Sequence, residues 1–158
     1  MTILLLFALL HAAAAGEPPG PKQPIEFNHK LHVTDLKQPC ALCHADRDPG
    51  ELVAMPEVSD CWRCHATIQR KSGAEHKLAA FAKQSREVDW VRVYQIPSYV
   101  RFDHRRHANA GVQCEACHGA VGQRLRLWQE REMSMGSCMN CHRQMHASLD
   151  CGSCHSVR

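Results

Sequence analysis

The chain has 158 residues, a formal net charge of +3 and a mean hydropathy of −0.38, with 22% charged and only 6% aromatic residues. These values describe a soluble protein with too few large side chains for an ordinary core, and ten cysteines in so short a chain call for another source of cohesion. The basic residues are scattered, without a nucleic-acid-binding motif or aromatic interleaving, which excludes nucleic acid as a partner.

In chain order, residues 1–15 are an apolar run ending in small residues, with Ala13 and Ala15 suited to cleavage before Gly16. They read as a signal peptide; the run is shorter than the ~20 apolar residues a spanning helix needs, so no transmembrane span is expected after cleavage. Residues 16–24, with Pro18, Pro19, Pro21 and Pro24, predict an extended leader. Residues 25–72 contain Phe27-Asn-His29-Lys-Leu-His32, then Cys40-Ala-Leu-Cys43-His44 and Cys61-Trp-Arg-Cys64-His65, with a loop expected at 46–56. Residues 73–98 predict an amphipathic helix over 73–85 and then an extended segment broken by Pro97, whose Trp90 and Tyr94 read as packing residues ahead of partner contacts. Residues 99–145 repeat the earlier arrangement: Phe102-Asp-His104-Arg-Arg-His107, then Cys114-Glu-Ala-Cys117-His118 and Cys138-Met-Asn-Cys141-His142, with a short helix expected at 123–133. Residues 146–158 add a fifth motif, Cys151-Gly-Ser-Cys154-His155.

Export to an oxidising compartment makes disulfides the default use of cysteine, but the spacing opposes it. Every cysteine belongs to a Cys-x-x-Cys-His unit. Two thiols at this spacing add across the two vinyl groups of one haem, and the next histidine reaches the iron from the same side. Paired zinc sites would leave one of five units over and have no need of a histidine in each. Redox dithiols would call for a thioredoxin-like βαβ pattern that is missing. The reading is five covalently bound haem c groups, with His44, His65, His118, His142 and His155 as proximal iron ligands. Each haem brings a charge of about −1 when ferric and about −2 when ferrous, so the holoprotein runs from about −2 to about −7.

Five irons call for five distal ligands. His29 and His32, and then His104 and His107, share the Phe-x-His-x-x-His pattern ahead of a haem motif, and residues three apart on a helix project to one side. These four are the expected distal ligands. The fifth is Met135, a thioether that would raise that haem's potential, or His146; His76 falls in the helical stretch as an ordinary exposed histidine, and Met55, Met133 and Met145 are weaker candidates. Saturated irons carry electrons without binding substrate. The expected fold is mostly irregular with short α-helices around a haem-packed core: a duplicated two-haem module (25–72 and 99–145), a connecting segment and a C-terminal fifth haem.

The two Phe-x-His-x-x-His segments resemble those of the class III multihaem cytochromes c. The stretches Asp89-Trp-Val-Arg-Val-Tyr, Pro97-Ser-Tyr-Val-Arg-Phe-Asp-His104-Arg-Arg-His107, Gly111-Val-Gln-Cys114 and Met135-Gly-Ser-Cys138-Met-Asn-Cys141-His142-Arg143 are similar to the pentahaem cytochrome subunit of alternative complex III and its relative in the periplasmic menaquinone reductase complex. That resemblance implies an electron-transfer protein rather than an enzyme in its own right. It would sit in the periplasm, held at the membrane through a quinol-oxidising or quinone-reducing complex, with iron–sulfur or cytochrome subunits as partners. It also implies Met135 as a ligand. A free periplasmic shuttle is the alternative, and a multihaem oxyanion reductase ranks behind both.

Overall fold

The structure is a computed structural model and describes residues 20–44, 54–68 and 71–155. The expected signal peptide (1–15), residues 16–19 of the leader and residues 46–53 of the 46–56 loop lie outside the described residues. Seven α-helices follow one another: α1 (Cys40–Cys43), α2 (Val58–His65), α3 (Gly73–Lys83), α4 (His104–Asn109), α5 (Cys114–His118), α6 (Met135–Gln144) and α7 (Cys151–Cys154). A π-helical turn at Lys30–Asp35 and a 3-10 turn at Val121–Gln123 complete the set. There is no strand among the described residues, only one isolated antiparallel bridge, Val100 to His155. The mostly helical and irregular fold expected for a multihaem cytochrome is the fold observed.

The longest helix among the described residues, α3, forms for local reasons. Ser72 accepts a hydrogen bond from the Glu75 amide at 3.2 Å, and the Glu75 carboxylate accepts from the Ser72 amide at 2.7 Å, a reciprocal cap that satisfies two orphan donors. Ala74, Leu78, Phe81 and Ala82 recur at helical spacing and face α2. The helix stops at Gln84, where Ser85 enters the left-handed region at φ 50°. The start of α2 is held by the Glu87 carboxylate, which accepts from the Val58 amide at 2.7 Å.

Around this contact lies the core: Ile25, Val58, Leu78 and Val88 are the buried hydrophobic residues, with Cys61, Trp62, Phe81 and Trp90 packed against them. Trp90 also donates its indole N–H to the Pro56 carbonyl at 3.0 Å, so it packs as expected. Four buried side chains cannot hold a domain of this length. The described part of the leader is tied down as well: the Gln23 amide donates to the Val91 carbonyl at 2.8 Å and accepts from the Val91 amide at 2.9 Å.

The short helix expected at 123–133 does not form. The 3-10 turn ends at Gln123, and the chain then runs irregularly to Ser134. Tertiary bonds take the backbone and side chains that a helix would have used. Arg124 grips Glu130 through two guanidinium nitrogens at 2.6 and 3.1 Å and lies over the Trp128 ring at 4.7 Å. Its carbonyl accepts from the Lys30 amide at 2.9 Å.

Candidate haem-binding sites

Each Cys-x-x-Cys-His unit lies on a helix or at its end. Helices α1, α5 and α7 begin at the first cysteine of a unit, while α2 ends on a unit and α6 carries one in its middle. A helical turn brings residues three and four apart to one side, so both thiols and the following imidazole face the same space. None of the ten thiols is in a disulfide; six of the cysteines are exposed, and Cys43, Cys61, Cys117 and Cys154 are half-buried. Burial pushes the Cys40, Cys43, Cys61, Cys117 and Cys138 thiols up, with further contributions from neighbouring acidic groups and thiols.

The open space is large. A continuous cavity of about 4200 Å³ is lined by all ten cysteines, by the five motif histidines and by His29, His32, His104 and His107. An ordinary ligand pocket holds roughly 300–1,000 Å³, so this space suits several large groups rather than one.

The histidines are arranged in opposed pairs. His32 faces His65 with ring centroids 6.2 Å apart, His104 faces His118 at 6.3 Å, and His107 faces His142 at 6.2 Å. Two imidazoles that grip one metal from opposite sides, with metal–nitrogen bonds of about 2.0 Å and a ring centre about 1.2 Å behind each nitrogen, hold their centroids about 6.4 Å apart. Burial first, then the charges of His44 and His32, push the His29 imidazole down to about 4. His29 is therefore neutral at neutral pH, the form that donates a lone pair to iron. His118 is lowered by burial, then by His104 and His44.

Backbone carbonyls orient these rings. Nδ1 of His32 lies 2.9 Å from the Asn28 carbonyl, Nδ1 of His107 2.8 Å from that of Asp103, Nδ1 of His44 3.1 Å from that of Ala54, and Nδ1 of His142 2.6 Å from that of Ser148. A carbonyl only accepts, so these rings carry their proton on Nδ1 and keep Nε2 free for a metal. Nδ1 of His29 is buried without a partner.

One phenylalanine serves two histidines in each segment. Phe27 stacks on His32 at 4.4 Å and meets His29 edge-on at 4.7 Å. Phe102 stacks on His107 at 4.5 Å and meets His104 edge-on at 4.7 Å. The Phe-x-His-x-x-His pattern is thus a wedge that sets two rings at once.

Of the remaining candidates, Met135 lines the cavity, on the first turn of α6 and one turn from Cys138. His146 follows α6 at φ 53°, exposed, in the left-handed conformation that ends helices, and does not line the cavity; nor does His76, exposed on α3. Met55, Met133 and Met145 also line it. The ring stacked near His155 is that of Tyr99, at 6.0 Å.

Tyr94, expected as a packing residue, positions His118, and two further positioning residues, Gly119 and Glu130, escaped the sequence reading. Tyr94 lies edge-on to His118 at 4.7 Å, donates its hydroxyl to the His118 carbonyl at 3.2 Å and accepts from the Glu130 amide at 2.9 Å. Gly119, directly after His118, is buried at φ 73° with Glu130 against it. The positive φ leaves a sequence signal, a glycine immediately after a motif histidine, but the partner Glu130 leaves none.

A tetrahedral zinc site is not what these groups form, since among the described residues no three histidine, cysteine or acidic groups converge on a metal position. Opposed imidazole pairs beside paired thiols fit haem c instead.

Comparison with known proteins agrees with this geometry. Residues 8–91 match the class III cytochrome c family, and residues 100–156 match cytochrome c7 and related cytochromes c. The menaquinone reductase multiheme cytochrome c subunit of Nitratidesulfovibrio vulgaris is 29% identical over 162 residues, spanning 85% of this chain and 77% of the relative. With paired thiols, opposed imidazoles and more than half of its length matched, this chain belongs to the class III cytochrome c family, multihaem electron carriers whose haem c is covalently bound.

Proposed function

We propose that the chain carries five haem c groups and passes electrons through the periplasm as a subunit of a membrane quinone-reducing or quinol-oxidising complex. The observation that carries the haem reading is the set of three histidine pairs with centroids 6.2–6.3 Å apart, the spacing of two axial imidazoles. Haem c supplies reversible one-electron chemistry at iron when bound.

In this reading Cys40 and Cys43, Cys61 and Cys64, Cys114 and Cys117, Cys138 and Cys141, and Cys151 and Cys154 hold the five groups covalently. His44, His65, His118, His142 and His155 ligate from one side. His29, His32, His104 and His107 ligate four irons from the other. For the fifth, one observation favours Met135 over His146: Met135 lines the cavity and His146 does not. The near-identical wedge geometry at Phe27 and Phe102 supports a duplicated two-haem module over 25–72 and 99–145. The protein's residues fix ring orientation, exclude water and set the potentials through ligand type and hydrogen bonds to the ligating rings.

Membership in a complex is supported by the relative named as a subunit of menaquinone reductase. Intact-mass measurement of the holoprotein tests the count: five haem increments per chain are expected, and fewer would refute it. Spectra of the reduced protein with carbon monoxide test saturation; a shift on any haem would show an open iron and revive the reductase reading. Recovery of the native protein with membrane partners is expected, whereas recovery wholly in the soluble periplasmic fraction would favour a free shuttle.

A further inference from the structure

We infer that Tyr99, Val100 and Arg101 form a clamp on the fifth motif, and that Arg101 is the positioning residue whose charge raises the potential of the haem held there. This rests on the five-haem reading above and adds a residue that sets the potential of one site.

The fifth motif needs support from outside. Its helix, α7, is a single turn of four residues, Cys151–Cys154, and one turn fixes more backbone than its own hydrogen bonds repay. Within it the Asp150 carbonyl accepts from the Ser153 amide at 3.0 Å, and the Cys151 carbonyl from the His155 amide at 2.9 Å. The carbonyls of Gly152 and Cys154 fall at the end of the turn, where a helix has no amides of its own to offer.

Arg101 takes both. Its guanidinium donates to the Gly152 carbonyl, 51 residues along the chain, and its amide donates to the Cys154 carbonyl at 2.7 Å. Val100 forms the antiparallel bridge with His155. Tyr99 stacks near the His155 ring, with centroids 6.0 Å apart and planes 22° apart. Three consecutive residues thus hold three parts of one motif: the imidazole, the backbone of the histidine, and the turn that joins the two thiols. Tyr99 is 62% exposed and lies outside the buried cluster around Leu78, so core packing does not account for it.

Charge gives the clamp a second role. Gly152 stands between Cys151 and Cys154, so the guanidinium is bonded to the backbone that links the two thiols, and Arg101 lines the cavity together with both cysteines. A haem gains one negative charge when its iron is reduced, and a nearby cation favours that form. Arginine also suits the last carbonyls of a helix, where the partial charge is negative. The opposite charge stands at the start of the turn: the Asp150 carboxylate accepts from the Ser148 hydroxyl at 3.0 Å, and Asp150 lines the cavity as well. The two side chains therefore pull one potential in opposite directions.

Redox titration of the holoprotein, with each haem followed through its methyl resonances by nuclear magnetic resonance, tests this. In Arg101→Gln, which keeps a donor for the Gly152 carbonyl and loses the charge, one of five potentials should shift downwards and four stay unchanged; Arg101→Lys should restore most of the shift. Asp150→Asn should move the same potential upwards. Tyr99→Leu should alter the resonances of that haem and of no other. All three side chains are exposed, so these variants should fold. An equal shift at all five haems in Arg101→Gln, or a downward shift in both Arg101→Gln and Asp150→Asn, would overturn the electrostatic role. A response to Tyr99→Leu at a different haem would overturn the clamp. Should Arg101→Gln not mature, the sign of the shift in Asp150→Asn decides, and a downward shift there refutes the inference. Five haem increments by mass with no shift in Arg101→Gln would refute this inference alone, whereas fewer than five in the unaltered chain would refute the reading beneath it.

Discussion

Replacing Gly119 by alanine should destabilise the holoprotein far more than the same change at Gly111. Both glycines have positive φ, 73° and 79°. At Gly119 ψ is −164°, a region open almost only to glycine, where another residue costs about 1–3 kcal/mol. An added methyl would also lie 2.5–2.7 Å from Oε2, Cβ and Cδ of Glu130. That side chain cannot swing aside cheaply, because Arg124 holds it at 2.6 and 3.1 Å and the Ala120 amide donates to it at 3.2 Å. Forced overpacking adds about 1–3 kcal/mol, for a total of about 2–6 kcal/mol at Gly119. Gly111 has nothing within 4 Å of its missing Cβ, so only the left-handed backbone cost of about 1–2 kcal/mol remains. At about 2–4 °C per kcal/mol for a chain of this size, Tm should fall by roughly 4–24 °C for Gly119→Ala and by roughly 2–8 °C for Gly111→Ala. Thermal melts of the two holoproteins, followed by far-ultraviolet circular dichroism, measure this. Equal losses would show that the Glu130 contact does not constrain the turn after His118, and the reasoning would fall.

Other consequences follow from the same structure. Tyr94→Phe removes one hydroxyl that both donates to the His118 carbonyl and accepts from the Glu130 amide; a loss of about 1–3 kcal/mol is expected, with an altered low-spin resonance at the third site and not at the second. Phe102→Leu should disturb the resonances of the third and fourth sites together and leave the first and second unchanged, since the Phe102 ring touches both His104 and His107; a change confined to one site would count against the wedge. Met135→Leu should let carbon monoxide bind one iron per chain while His146→Ala does not, and the reverse result would move the fifth ligand to His146. A chain produced without haem attachment should show little helix by circular dichroism, because among the described residues only four side chains are buried against one another; a cooperatively folded apoprotein would refute this.

Much of the chemistry was legible in the residues because it is local. Cys-x-x-Cys-His is written within one helical turn, and so is Phe-x-His-x-x-His, where spacing alone puts two rings on one side of a short helix. The α3 helix was readable for the same reason: its cap at Ser72 and Glu75 and its apolar spacing are local features, although it ends at Lys83, two residues short of the expectation. The helix expected over 123–133 failed because its fate depended on groups far away in sequence. Lys30 and Tyr94 compete for the backbone of that stretch, and Arg124 closes on Glu130 across what would have been nearly two turns.

The sequence by itself therefore determined the cofactor class and the candidate thiols and histidines that would hold it, since each follows from residues a few positions apart. Only the tertiary structure decided which histidine faces which across the cavity, that Met135 and not His146 lines that cavity, and that the turn after the first wedge packs on the turn after the third motif. Those outcomes depend on how two wedges and two turns pack against each other across 70 or more residues, a separation at which spacing carries no information about distance.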